Sequence, residues 1–127
     1  MFERLDLTRM AQALMAHSGA RMGVIARNVA HADTPGFKAQ DLPPLAAKTF
    51  AANGGEMRAT RPGHLMAASA GAAMVPQNAP GREAPNGNTV SLEGEMVKAV
   101  QARQNHEMGL AINRATSDVV RASLGRR

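Results

Sequence analysis

The sequence predicts a mainly α-helical chain in which two long terminal helices bracket an irregular, Gly/Pro-rich middle. Two observations carry this. Apolar residues recur at steps of three or four near both ends, and all seven prolines fall between Pro35 and Pro85, leaving both ends free of helix breakers. The chain therefore divides into an N-terminal helix (residues 1–34), an irregular segment with short strands at most (35–88) and a C-terminal helix (89–127).

The N-terminal helix follows from Leu7, Met10, Leu14, Ser18, Met22, Ile25 and Val29, the stripe of an amphipathic helix. About 30 residues at 1.5 Å each make a rod of ~45 Å. Gly19 and Gly23 each weaken an isolated helix by up to about 1 kcal/mol, so they are expected to mark the close approach of another backbone. The stop signal is Pro35, which disfavours the α conformation at Thr34; Gly36 follows in the Pro-Gly order of a type II turn.

In the middle, Gly54-Gly55, Gly63, Gly71 and Gly81 separate alanine-rich spacers, and short strands are expected only around Lys48 to Phe50 and Met57 to Thr60. A loop this long is unusual inside a compact domain, which predicts a segment ordered against neighbours. The second helix begins at Ser91, a good N-cap, with Glu93 and Glu95 where the positive end of the helix dipole favours acids. Val97, Val100, Met108, Ala111, Ala115, Val119 and Ala122 keep near-helical spacing, interrupted by Gln104. Arg114, Arg121, Arg126 and Arg127 fall toward its end, where the dipole prefers cations.

Composition sharpens the picture. Leu, Ile, Val and Phe supply 22 of 127 residues, about 17%, whereas a well-cored domain carries more than ~20%. The apolar share rests on 25 Ala and nine Met, which bury little area or specify shape weakly. An isolated chain is expected to be loose, with other copies or partners supplying the missing burial. Leu7, Met10, Leu14, Met22, Ile25 and Val29 on the first helix, and Val97, Val100, Met108, Ala111, Ala115 and Val119 on the second, are the candidate packing residues. They serve either as core between the helices or as an interface between subunits.

Other functions find little support. The net charge of +5 is spread from Arg4 to Arg127 and broken by acids, and the absence of Trp and Tyr removes the usual stacking groups, so nucleic acid is not an expected partner. Zero cysteines exclude a disulfide framework. His17, His31, His64 and His106 lack metal-ligand spacing, and no carboxylate pair, nucleophile elbow or phosphate loop appears, so neither metal, cofactor nor catalysis is expected. Met1 to Leu14 carries Glu3, Arg4, Asp6 and Arg9, unlike a cleavable signal peptide, and no stretch approaches the ~20 apolar residues of a membrane span.

The run Asn28-Val29-Ala30-His31-Ala32-Asp33-Thr34-Pro35-Gly36-Phe37-Lys38 closely resembles the signature of the flagellar axial proteins, the rod and hook family; Arg27 and His31 stand where that pattern more often has Asn. Within the family the chain looks most like the short proximal rod proteins. That likeness rests on Leu5-Asp6-Leu7, on Ala39 after the run, on Gly87-Asn88-Thr89-Val90-Ser91-Leu92-Glu93 before the second helix, and on Leu124-Gly125-Arg126. It covers roughly 75 residues at the two ends.

The resemblance implies an antiparallel, coiled-coil-like hairpin of the two terminal helices, the axial core domain, stacked with copies and homologues into a rod. It implies type III export and assembly in the periplasm beside the membrane-embedded ring, the export gate and a small rod-base adaptor protein. In the signature, Asn28 is expected to make a backbone or cross-subunit hydrogen bond, Pro35 and Gly36 to reverse the chain, and Phe37 to anchor in an adjacent helix groove. The rival readings are the other short proximal rod protein, a small basic nucleic-acid-binding helical protein, and a membrane-surface helix over residues 3–32.

Overall fold

The computed structural model describes residues 2–45 and 74–125, with side chains from Asp6 onward in the first stretch. The strands expected at 48–50 and 57–60 lie outside these residues. Two helices dominate: α1, Phe2–Ala30, and α2, Leu92–Ser123, of 29 and 32 residues. They pack antiparallel, since Asn28 meets Glu95 near one end while Met15 and Ala11 meet Gly109 further along. The hairpin fold is thus that of the chain itself.

Helix α1 ends at Ala30, four residues short of the expected boundary, because the following turns already divert the chain. The Phe37 N–H donates to the Thr34 carbonyl across Pro35-Gly36 at 3.3 Å, and Gly36 has φ +73. Both belong to a type II turn, whose third position demands positive φ. Helix α2 starts as expected: the Ser91 hydroxyl accepts from the Gly94 N–H at 3.3 Å. It ends where Leu124 donates to the Val120 carbonyl and Gly125 turns to φ +78.

Between the helices, β1 (Gln40–Asp41) and β2 (Gln77–Asn78) pair antiparallel, Gln40 opposite Asn78 and Asp41 opposite Gln77. This ribbon was not foreseen, for two residues are too few to show a period. Its β1 strand lies against α1.

The packed seam is small and polar. Buried apolar residues are Ala11, Val24, Ile25, Ala39, Leu42 and Ala102; buried alongside them are His17, Ser18, Asn28, Asn88 and Glu95. Ala11, Ser18 and Ile25 stand seven apart on α1, as Glu95, Ala102 and Gly109 do on α2, the repeat of a coiled-coil seam. At Gly109 the helices approach closely: an added Cβ would lie 2.7 Å from the Met15 Cγ and 3.2 Å from the Ala11 carbonyl oxygen. The glycines expected to mark close approach, Gly19 and Gly23, face outward with nothing within 4 Å. The close approach falls at Gly109 because that position lies on the seam and the other two do not.

Candidate functional site: the clasp at the helix ends

The signature run is held by a second turn from the far side of the sequence. Pro85-Asn86-Gly87 reverses the chain ahead of α2, with the Gly87 N–H donating to the Ala84 carbonyl at 2.8 Å and Gly87 at φ +79. It sits back to back with Pro35-Gly36, since a Cβ on Gly87 would lie 3.4 Å from the Gly36 Cα. The Gly36 N–H donates to the Asn86 carbonyl at 3.0 Å, and the Thr89 N–H to the Phe37 carbonyl at 3.1 Å. Glycine is favoured at both tips by the positive φ, and at Gly87 by the close approach of Gly36 as well.

Asn88 completes this clasp. Its amide nitrogen lies 2.9, 2.7 and 2.9 Å from the carbonyl oxygens of His31, Ala32 and Thr34, while its Oδ1 accepts from the Val90 N–H at 2.7 Å. A residue that lies just before α2 thereby fastens the turn that follows α1, where the His31 carbonyl also accepts from the Thr34 N–H. Sequence reasoning placed Asn88 in the α2 opening but gave it no role. A buried Asn flanked by Gly87 and a β-branched residue was the only local signal.

One layer further in, a polar network joins three segments. Asn28, fully buried, donates to the Gln40 carbonyl at 2.7 Å and to Glu95 Oε2 at 3.0 Å, and its Oδ1 accepts from the Gln40 N–H at 3.1 Å. The Glu95 side chain is 2% exposed and its other oxygen is 2.7 Å from Lys98 Nζ. Arg21 grips Asp41 with two nitrogens, at 2.8 and 2.7 Å, and Lys98 lies 4.0 Å from the same carboxylate. The two-pronged hydrogen bond from Arg21 is the main cause that holds the Asp41 carboxyl below its ordinary value; partial burial opposes it, and the Leu42 N–H and the charges of Arg21 and Lys98 assist. The same bond raises the Arg21 guanidinium, against the cost of its burial. His17 adds a strut, its Nε2 donating to the Pro43 carbonyl at 2.8 Å.

Glu95, expected as a dipole partner in the first turn of α2, is a buried member of this network, and nothing local in the sequence points to Arg21 and Asp41. Their pairing depends on β1 folding back onto α1, which no sequence spacing reveals.

The signature residues fare differently one by one. Asn28 makes the backbone hydrogen bond expected of it. Ala32 and Thr34 supply carbonyls to the clasp, Pro35 and Gly36 make the reversal, and Lys38 donates to Glu83 at 2.8 Å and to the Gly87 carbonyl at 3.2 Å. Asp33 is exposed. Among the described residues Phe37 enters no helix groove; it stacks on His31, ring centroids 4.6 Å apart, because the type II turn swings it back over the end of α1.

Of the candidate packing residues, Ile25 lies buried on the seam and Leu14 and Met22 are half-buried. Leu7, Met10 and Val29 are exposed by more than 40%. Val97, Val100, Met108 and Ala111 are exposed and turned away from Glu95, Ala102 and Gly109, with Val100 67% exposed, and Ala115 and Val119 are exposed further along. They do not form core between the two helices. The small seam residues win that position because they let the backbones close up, while the larger side chains turn outward. Beyond Gly109, Ala115 and Val119 join Leu7, Ile112 and Thr116 around an open groove of about 340 Å³.

Among the described residues, no group of three or more His, Asp or Glu side chains is arranged to hold a metal, and no helix is long and apolar enough to cross a membrane. The clasp and network groups engage one another and the backbone, which makes the site a fastener between segments. Compared with known proteins, the sequence matches no protein-family model and no curated protein.

Proposed function

We propose that this chain is a structural subunit of the proximal rod of the bacterial flagellar basal body, assembling through its terminal helices with copies of itself and with other rod proteins. The observation that carries the reading is the outward stripe of α2. Val97, Val100 and Met108 stand exposed in a chain already poor in large apolar residues. Large apolar side chains exposed along one helix, even broken at Gln104, are a liability for a solitary protein and an asset for a subunit.

The back of α1 offers a complementary surface. Ala16, Gly19, Ala20, Gly23, Ala26 and Ala30 are exposed and small, so the protruding side chains of a neighbouring α2 have a shallow trough to enter. A contact between two different faces of identical chains builds an open helical assembly wherever its rotation does not close into a ring. The signature run, with its likeness to rod and hook proteins, supplies the flagellar context. In that context the chain is exported through the type III apparatus and acts in the periplasm beside the ring, the export gate and the rod-base adaptor protein, without nucleic acid or membrane insertion.

The test is genetic and structural together. Deleting the gene is expected to stop rod assembly while leaving the membrane ring intact, and a Val100→Asp copy is expected not to restore it. Normal rods and motility in the Val100→Asp strain would remove the proposal.

A further inference from the structure

The clasp is built on a chemically fragile bond. Asn86-Gly87 pairs an asparagine amide with a following residue that has no side chain to hinder its backbone nitrogen, the combination most open to cyclisation in a free chain. Here both reacting partners are restrained. The Gly87 N–H is engaged by the Ala84 carbonyl at 2.8 Å, and Asn86 Oδ1 accepts from the Asn88 N–H at 3.1 Å. The main chain on either side is pinned by the Gly36 N–H on the Asn86 carbonyl at 3.0 Å and by Lys38 Nζ on the Gly87 carbonyl at 3.2 Å.

We propose that Asn86 is a site of spontaneous deamidation and isomerisation that the closed clasp protects and the open chain exposes. The Gly87 nitrogen, having lost its proton to solvent base, attacks the Asn86 Cγ. A ring N–C bond forms, the Cγ–Nδ2 bond breaks, and ammonia leaves with the proton returned by solvent. Water then adds to one of the two carbonyls of the succinimide and opens it to an aspartate or an isoaspartate at position 86. The net change is amide plus water to carboxylic acid plus ammonia.

In the isoaspartate product the main chain runs through the Cβ and Cγ of residue 86, one methylene longer, and the α-carbonyl that Gly36 uses becomes a free carboxylate off that path, which displaces the Asn88 amide from the turn after α1. Those contacts then no longer fit together, so a chain modified while open does not rebuild the clasp. The modification is a one-way record of time spent unclasped, and it stands independently of the rod assignment.

The experiment uses the full chain at mildly alkaline pH, in trimethylamine N-oxide to favour the compact state and in guanidinium chloride, with far-ultraviolet circular dichroism in parallel. Trypsin releases the peptide from Glu83 to Lys98, in which mass spectrometry follows amide-to-acid conversion at position 86. Conversion is expected to be at least about tenfold slower in the osmolyte, because reaction requires local opening. Asn88→Ala, which leaves the Asn-Gly pair intact, is expected to move the osmolyte rate toward the denatured one, and exposed Lys38→Ala to do so less. Equal rates in the two solvents, an Asn88→Ala rate as slow as the parent's, or a chain that gains no helix in the osmolyte each overturns the proposal.

Discussion

At Asn28 one amide serves α1, β1 and α2 at once. Its replacement leaves a buried Glu95 oxygen and the half-buried backbone N–H and carbonyl of Gln40 without that partner, and orphaned buried groups cost about 1–3 kcal/mol each. Asn28→Ala is therefore expected to lower the stability of the chain by on the order of 3 kcal/mol in urea unfolding. In the Glu95→Ala background the same change should cost distinctly less, because the two share one interaction; strict additivity would show that the pair is not coupled.

Asp41 sets a pH dependence whose sign follows from its partner. Its folded pKa lies below the ordinary value of 3.8, so in acid the folded state binds fewer protons than the unfolded chain. The contribution is complete above the ordinary carboxylate range and is lost as the pH falls from about 4 through the folded value. Arg21, shifted upward from its ordinary value, stays charged throughout and adds no dependence in that window. Unfolding midpoints measured between about pH 3 and 6 should fall with acid in the parent and fall less in Asp41→Asn.

At the scale of elements, the glycines of the two helices separate by what surrounds them. Gly19 and Gly23 sit in helix with open space around them, so Gly19→Ala and Gly23→Ala are each expected to stabilise the isolated chain by about 0.5–1 kcal/mol. Gly109→Ala places a methyl against Met15 and the Ala11 carbonyl and is expected to destabilise by about 1–3 kcal/mol, since a backbone atom yields less readily than a flexible side chain. Thermal unfolding of the three variants decides this, and a stabilised Gly109→Ala would mean that the seam is looser than described. Helix positions, the Ser91 cap and the Pro-Gly turn were legible because each depends on neighbours in sequence. The β1–β2 ribbon and the Asn88 contacts were not, because their partners lie tens of residues away.

For the whole molecule, the two helix faces separate folding from assembly. Ile25→Asp puts an unpartnered carboxylate into the seam and is expected to unfold the hairpin at a cost of several kcal/mol. Val97→Asp, on a side chain 58% exposed, is expected to leave stability within about 0.5 kcal/mol while preventing self-association, as seen by sedimentation. A Val97→Asp chain that still associates would detach the outward stripe from assembly.

Local sequence determined where the helices run and how the first one stops, since apolar spacing, proline and glycine act on the residues beside them. It also marked a set of large apolar side chains without telling which way they face. Only the tertiary structure decided that. Both faces of an Ala-rich helix satisfy a three-to-four spacing, and the inward one is chosen by how closely two backbones can approach and by which buried polar groups find partners. Glu95, Ala102 and Gly109 meet those conditions against α1, and Val97, Val100 and Met108 are left pointing away.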